Sequence, residues 1–186
     1  MAFVAVYDAN VLYPSTLRDL LIRVAQARVV QAKWTDQILD ETFRSIQQNR
    51  PDLDPRKLAR TRELMAGSIR DVLVKGYEPL LEDLDLPDAG DRHVLAAAIH
   101  ARAQSIITFN LKDFPTARLS TWGIQAVHPD AFLEAQVRLS PQLIHTALAQ
   151  IAAAWRTPPN ATVRDVIASL EKDGLVATAA ALRDVP

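Results

Sequence analysis

Two short runs rich in β-branched and aromatic residues constrain this chain most: Phe3-Val4-Ala5-Val6-Tyr7 near its start and Ser105-Ile106-Ile107-Thr108-Phe109 much later. Each has the length and composition of a buried strand. Each is followed at once by polar residues, Asp8 and Asn10 in one case and Asn110 and Asp113 in the other. Between them the apolar spacing is helical. Leu17, Leu20, Leu21, Val24 and Ala25 mark a core-facing helix over 15–29, and Thr35 offers the N-cap of another through about Gln48. Asp54-Pro55 opens a third, which Leu58, Leu64, Met65, Ile69 and Val72 carry to about Val74 before Gly76 ends it. The segment Val29–Trp34 reads as strand or helix end. Asp88 caps a further helix, Ala89 to Ala103, and a short third strand is expected at Ile124–Val127. Strands alternating with helices predict an α/β fold, a parallel sheet flanked by helices. Beyond His128-Pro129-Asp130 the pattern is helical throughout, over about 130–138, 141–156, 162–172 and 175–184. This predicts a main unit over 1–130 and a C-terminal helical extension over 131–186.

The charge balance narrows the function classes. Lys+Arg 21 against Asp+Glu 22 gives a net charge of -1, so no global basic field announces a polyanionic partner, and any nucleic-acid contact must come from a local patch. With Cys 0 there is no disulfide framework, thiolate metal site or cysteine nucleophile. Metal chemistry would need oxygen ligands or the four histidines. The first residues lack the features of a signal peptide, and no apolar run approaches membrane-spanning length, so a cytoplasmic protein without a membrane partner is expected.

Carboxylates recur where they could meet: Asp8 after the first strand, Asp40-Glu41 within a helix, Asp88 and Asp91 at a helix start, and Asp113 after the second strand. The carboxyl ends of strands in open α/β sheets are where ligands bind. Carboxylates forced together repel unless a cation neutralises them, and an all-oxygen cluster selects Mg²⁺ or Mn²⁺. Such an ion can activate water and screen the charge that builds on a phosphodiester under attack. Each residue also has a plain structural alternative. Asp8 could close an Asx-turn, Asp88 and Asp91 could cap and polarise a helix, Asp113 could cap a turn, and Asn10 and Asn110 suit left-handed turn positions. Asp40 and Glu41 flank the apolar stripe Ile38, Leu39, Phe43 and Ile46 on opposite sides, and periodicity does not choose between them.

Taken together, YDANVL, ILDE, LPDAGDRHVLAAAI and IITFNLKDFP, in this order, resemble the PIN-domain ribonucleases. More narrowly they look like VapC-type toxins of bacterial toxin–antitoxin pairs, over about residues 1–130. The resemblance implies a PIN-like parallel β-sheet flanked by helices and an endoribonuclease that uses Mg²⁺ or Mn²⁺ to cut RNA. It places the acidic positions at Asp8, Glu41 and Asp91, and it alone selects Glu41 over Asp40. The fourth position falls on Asp113, as in members with Asn110-Leu111-Lys112-Asp113, and Asn110, Asn10 and Asp88 become supporting residues. It also implies a cognate antitoxin and a homodimer. Haloacid-dehalogenase-type phosphotransferases, which resemble a strand followed by Asp-x-Asp, are disfavoured by Asn10: an amide cannot donate and recover the proton their second aspartate handles. An RNA-processing PIN nuclease without a toxin role and an inactive PIN-like binding module are the alternatives. The inactive module predicts loss of an acidic position, and Asp8, Glu41 and Asp91 are all present.

RNA requires cations near the cut. Arg18, Arg92, Lys112 and Arg118 lie nearest the acidic positions in sequence, and Arg44, Arg50, Arg56, Lys57, Arg60, Arg62 and Arg70 are denser on the two middle helices, where a solvated face is the competing explanation. Trp34 and Trp122 could stack on bases or pack inside. His93 and His100, on the alanine-rich helix, read as structural.

Overall fold

The computed structural model describes residues 3–184; the outermost residues of the two predicted units lie outside them. Four strands, β1 (Val4–Tyr7), β2 (Gln31–Lys33), β3 (Ser105–Ile107) and β4 (Gln125–Val127), form one sheet in the order β2-β1-β3-β4. All three pairings are parallel, with Ala5 opposite both Ala32 and Ser105, and Ile106 opposite Ala126. Ala5, Val6, Tyr7, Ile106 and Ile107 are fully buried, as expected for central strands covered on both faces.

The helices are α1 (Ala9–Leu12), α2 (Ser15–Gln26), α3 (Asp36–Asn49), α4 (Pro55–Gly67), α5 (Arg92–His100), α6 (Thr116–Leu119), α7 (Pro129–Leu139), α8 (Pro141–Ala154), α9 (Val163–Lys172) and α10 (Val176–Arg183). Thr35 caps α3 by accepting from Ile38 N at 3.0 Å, and Asp54 caps α4 with Pro55 in its first turn. Helix α5 packs on β1 and β3, and α2 packs on β2.

Helix α4 ends earlier than its apolar spacing predicts. After Gly67, Ser68 turns back onto Met65 O, and Asp71 takes φ +54°. Val72, Leu73 and Val74 then run extended beside Trp34, whose N–H donates to Val72 O at 3.1 Å while Val74 N–H donates to Trp34 O at 2.9 Å. The β-branched pair Val72 and Val74 extends the sheet edge instead of adding a helical turn, a tertiary gain that outweighs local spacing. Of Val29–Trp34, Gln31–Lys33 forms the strand β2 and Trp34 adds a bridge to Leu73, while Val29 and Val30 lie in the bend before it; the predicted helix from Ala89 begins with a 3₁₀ turn over Ala89–Asp91.

The C-terminal helices pack onto the rest of the chain. Helices α8 and α9 lie on α2, and α10 lies on α7 and α9. Phe132 of α7 stacks on Phe3 and meets Tyr7 edge-on, while Thr16 and Ser169 share a hydroxyl–hydroxyl bond of 2.8 Å. No helix among the described residues is long and apolar enough to cross a membrane.

Candidate active site

The strand ends β1 and β3 are neighbours, so the residues leaving them share one edge of the sheet. Asp8 follows β1, caps α1 through Ala9 N at 2.7 Å, and is only 6% exposed. Thr108 follows β3 and donates its hydroxyl to Asp8 Oδ2 at 2.8 Å. Asn10 closes the network. Its Nδ2 donates to Asp8 Oδ2 at 2.9 Å and to Thr108 Oγ1 at 3.0 Å, and its Oδ1 accepts from Phe109 N at 3.1 Å. Asn110 N–H donates to Thr108 Oγ1 at 3.0 Å, so the loop after β3 is pinned to the loop after β1.

A cleft of about 430 Å³ opens above this network, lined among others by Asp8, Asn10, Glu41, Asp91 and Asn110. Helix α3 supplies Glu41 and, one and two turns on, Ser45 and Asn49. Asp40 points elsewhere and pairs with Arg62 at 2.7 Å, which separates the two neighbours that periodicity left open. A larger groove of about 510 Å³ beside Val30 and Ile69 has no converging carboxylates, so chemistry rather than size selects this cleft.

The electrostatics follow from crowding. Burial pushes the Asp8 carboxyl above its ordinary range, partly offset by the bonds from Thr108 and Ala9. Asp91 is pushed up to about 6, first by burial and then by the charges of Asp8, Asp88 and Asp113. Asp113 thus lies within electrostatic range of Asp91, although it does not line the cleft. Asp88 spends one oxygen capping Gly90 N at 2.7 Å, as its structural reading has it.

The donor set is hard oxygen, which suits Mg²⁺ or Mn²⁺. Among the described residues no three acidic or histidine side chains converge closely enough to cage an ion. That is compatible with Mg²⁺, which characteristically takes one or two carboxylates and keeps several waters.

The cations divide. Arg18, expected near RNA, turns inward: its Nη1 donates to Leu12 O at 2.7 Å and Tyr13 O at 3.1 Å, and its guanidinium lies 6.0 Å from the Phe43 ring centre. Arg92 buries its Nε without a partner among the described residues, while Lys112 is exposed. On the middle helices and the turns that follow them, Arg50, Arg60, Arg62 and Arg70 pair with Asp52, Glu63, Asp36 and Asp71, and Arg118 pairs with Asp85. Arg44, Arg56 and Lys57 are exposed, with no such pairing among the described residues. Trp34 is fully buried; Trp122 is 45% exposed.

Sequence reasoning missed Thr108 and His93. Thr108 stands between two motif residues but carried no signal until β3 was paired with β1. His93, read as structural, places Nε2 3.0 Å from Glu41 Oε1.

Comparison with known proteins agrees with this geometry. The family model described as PIN domain matches residues 4–112, and that described as VapC50 C-terminal domain matches residues 129–184. The chain is 44% identical over 69 residues to "Putative ribonuclease VapC50" of Mycobacterium tuberculosis (strain ATCC 25618 / H37Rv). That alignment covers 37% of this chain and 41% of the relative, so the chain spans well under two thirds of the length of the protein it matches. No solved structure matches. The PIN-domain match covers more than half of the chain, which therefore belongs to the PIN-domain family and carries a C-terminal region of the VapC50 type.

Proposed function

We propose that this chain is a metal-dependent endoribonuclease that hydrolyses RNA phosphodiester bonds and serves as the toxin of a toxin–antitoxin pair, working as a homodimer. The observation that carries the reading is the single cleft to which three separate elements bring Asp8, Glu41 and Asp91. The family and the ribonuclease name of the relative support the same chemistry.

Asp8, Glu41 and Asp91 would hold Mg²⁺ or Mn²⁺ between them, one or two by direct contact and the remainder through the ion's waters, with Asp113 adding negative charge beside Asp91. When bound, the ion supplies water activation and screening of phosphodiester charge. The chain's own residues do the rest. Thr108, Asn10 and Ala9 N fix the Asp8 carboxylate before any ligand arrives, so little reorganisation is needed at the moment of reaction. Asn110 offers an uncharged hydrogen-bonding group along the cleft for RNA, Asn10 holds the network beneath it, and Lys112 and Arg92, adjacent in sequence to Asp113 and Asp91, would supply positive charge. Arg18 acts by bracing α1 through two carbonyls rather than by meeting RNA.

The test is purified protein, freed of any partner, incubated with structured RNAs in Mg²⁺ or Mn²⁺ and again with chelator, with new 5′ ends sequenced. Discrete cleavage that chelator abolishes is expected. Cleavage indifferent to chelator would contradict the mechanism. Growth arrest on expression, relieved by a co-expressed neighbouring gene product, is the expected sign of the toxin role.

A further inference from the structure

We propose that His93 is a positioning residue of this cleft, orienting Glu41 for the divalent cation. The inference rests on the metal-dependent reading above and deepens it. The His93 side chain is 4% exposed, so water does not satisfy its ring, and its Nδ1 has no partner among the described residues. Its Nε2 lies 3.0 Å from Glu41 Oε1. A carboxylate has only oxygen acceptors to present, so the contact is attractive when the ring hydrogen sits on Nε2 and is aimed at Glu41.

Gln37 Nε2 approaches the same oxygen at 3.4 Å. Both donors therefore converge on Oε1 and leave Oε2 without a hydrogen-bond partner among the described residues, available to the cleft that Glu41 lines. The contact also joins the two elements that deliver separate carboxylates. Helix α5 begins at Arg92, so its first turn carries His93 just after Asp91, while Glu41 sits midway along α3. A shift of α5 relative to α3 would displace one carboxylate from the other, and the His93–Glu41 contact resists it. This is the usual office of a partner one layer outside a metal's ligands, whose removal costs about 10- to 100-fold in metal affinity.

Calorimetric Mn²⁺ titration tests the proposal directly, without reading activity. His93→Phe, which keeps a packed ring but removes the donor, should weaken Mn²⁺ binding by about tenfold or more. His93→Gln, which restores an N–H donor, should recover most of it. In a Glu41→Ala background, His93→Phe should produce no further loss, because a residue acting through another has nothing left to act on. Wild-type affinity in His93→Phe, or a loss that adds in full to that of Glu41→Ala, overturns the role of His93 while leaving the metal reading intact. Should His93→Phe fail to fold, a folded His93→Gln protein with Mn²⁺ binding as weak as Glu41→Ala overturns it equally. A folded wild-type protein that binds no Mn²⁺ overturns the metal reading, and this inference with it.

Discussion

Asp91 in the cleft and Asp130 in the C-terminal helices both stand at helix starts, yet their surroundings are opposite. Asp130 receives Ala177 N at 2.9 Å, Thr178 N at 2.7 Å and Thr178 Oγ1 at 2.7 Å. Those donors hold its carboxyl below the ordinary range, against some burial, and fasten α10 to α7. Asp91 is met by no such donor among the described residues, and burial with the charges of Asp8, Asp88 and Asp113 raises it to about 6. The C-terminal region thus uses a carboxylate to hold the fold together. The cleft accumulates carboxylates that destabilise one another, an arrangement expected where a site is kept for a ligand rather than for stability.

Asp8→Asn sharpens the contrast most. It keeps the shape and removes one full charge from the crowded site, so cleavage should fall by about 100-fold or more, while thermal stability holds or rises as relief of repulsion offsets the hydrogen bonds that the amide nitrogen no longer accepts. Wild-type cleavage by this variant would remove Asp8 from the site. Asp130→Ala should do the reverse. Loss of a carboxylate that caps the start of α10 from a distance should destabilise by about 1–2 kcal/mol, with cleavage per folded molecule unchanged, as read by urea melts beside an activity assay.

Asp91→Asn gives a smaller effect with a defined pH dependence. Below about pH 4, Asp91 is protonated in both folded and unfolded chains, and the variant should match the wild type. As pH rises from there to about 6, the unfolded chain releases this proton first, so the metal-free wild type loses stability, and the loss is complete above about 6. At pH 7.5 Asp91→Asn should therefore be the more stable protein. Because the group is partly exposed, solvent screening keeps the gain to about 1 kcal/mol. A gap independent of pH would mean that charge is not its cause.

Much of this contrast was legible in the sequence because strand ends and helix caps are local signals. Phe3–Tyr7 and Ser105–Phe109 announced β1 and β3, and the motif order announced Asp8, Glu41 and Asp91. What could not be read depended on contacts distant in sequence. The shortening of α4 required Trp34 to draw Val72 and Val74 into the sheet edge. Thr108 acquires its role only when β3 lies beside β1, and the ordinary apolar spacing of α5 concealed that His93 faces α3. Arg18 was misleading for the same reason: proximity in sequence to Asp8 gave no hint that its guanidinium would turn onto the carbonyls of Leu12 and Tyr13.

The most direct test of the central claim, that these converging carboxylates hold the ion for RNA cleavage, compares two neighbours on one helix. Glu41 lines the cleft, while Asp40 pairs with Arg62 at the surface and is 54% exposed. Cleavage rate should be titrated against Mn²⁺ for wild type, Glu41→Gln and Asp40→Asn. Glu41→Gln should need far more Mn²⁺ or fail to cleave, whereas Asp40→Asn should track the wild type and change stability by less than about 0.5 kcal/mol. Glu41→Gln following the wild-type curve, or Asp40→Asn taking its place, would contradict the account.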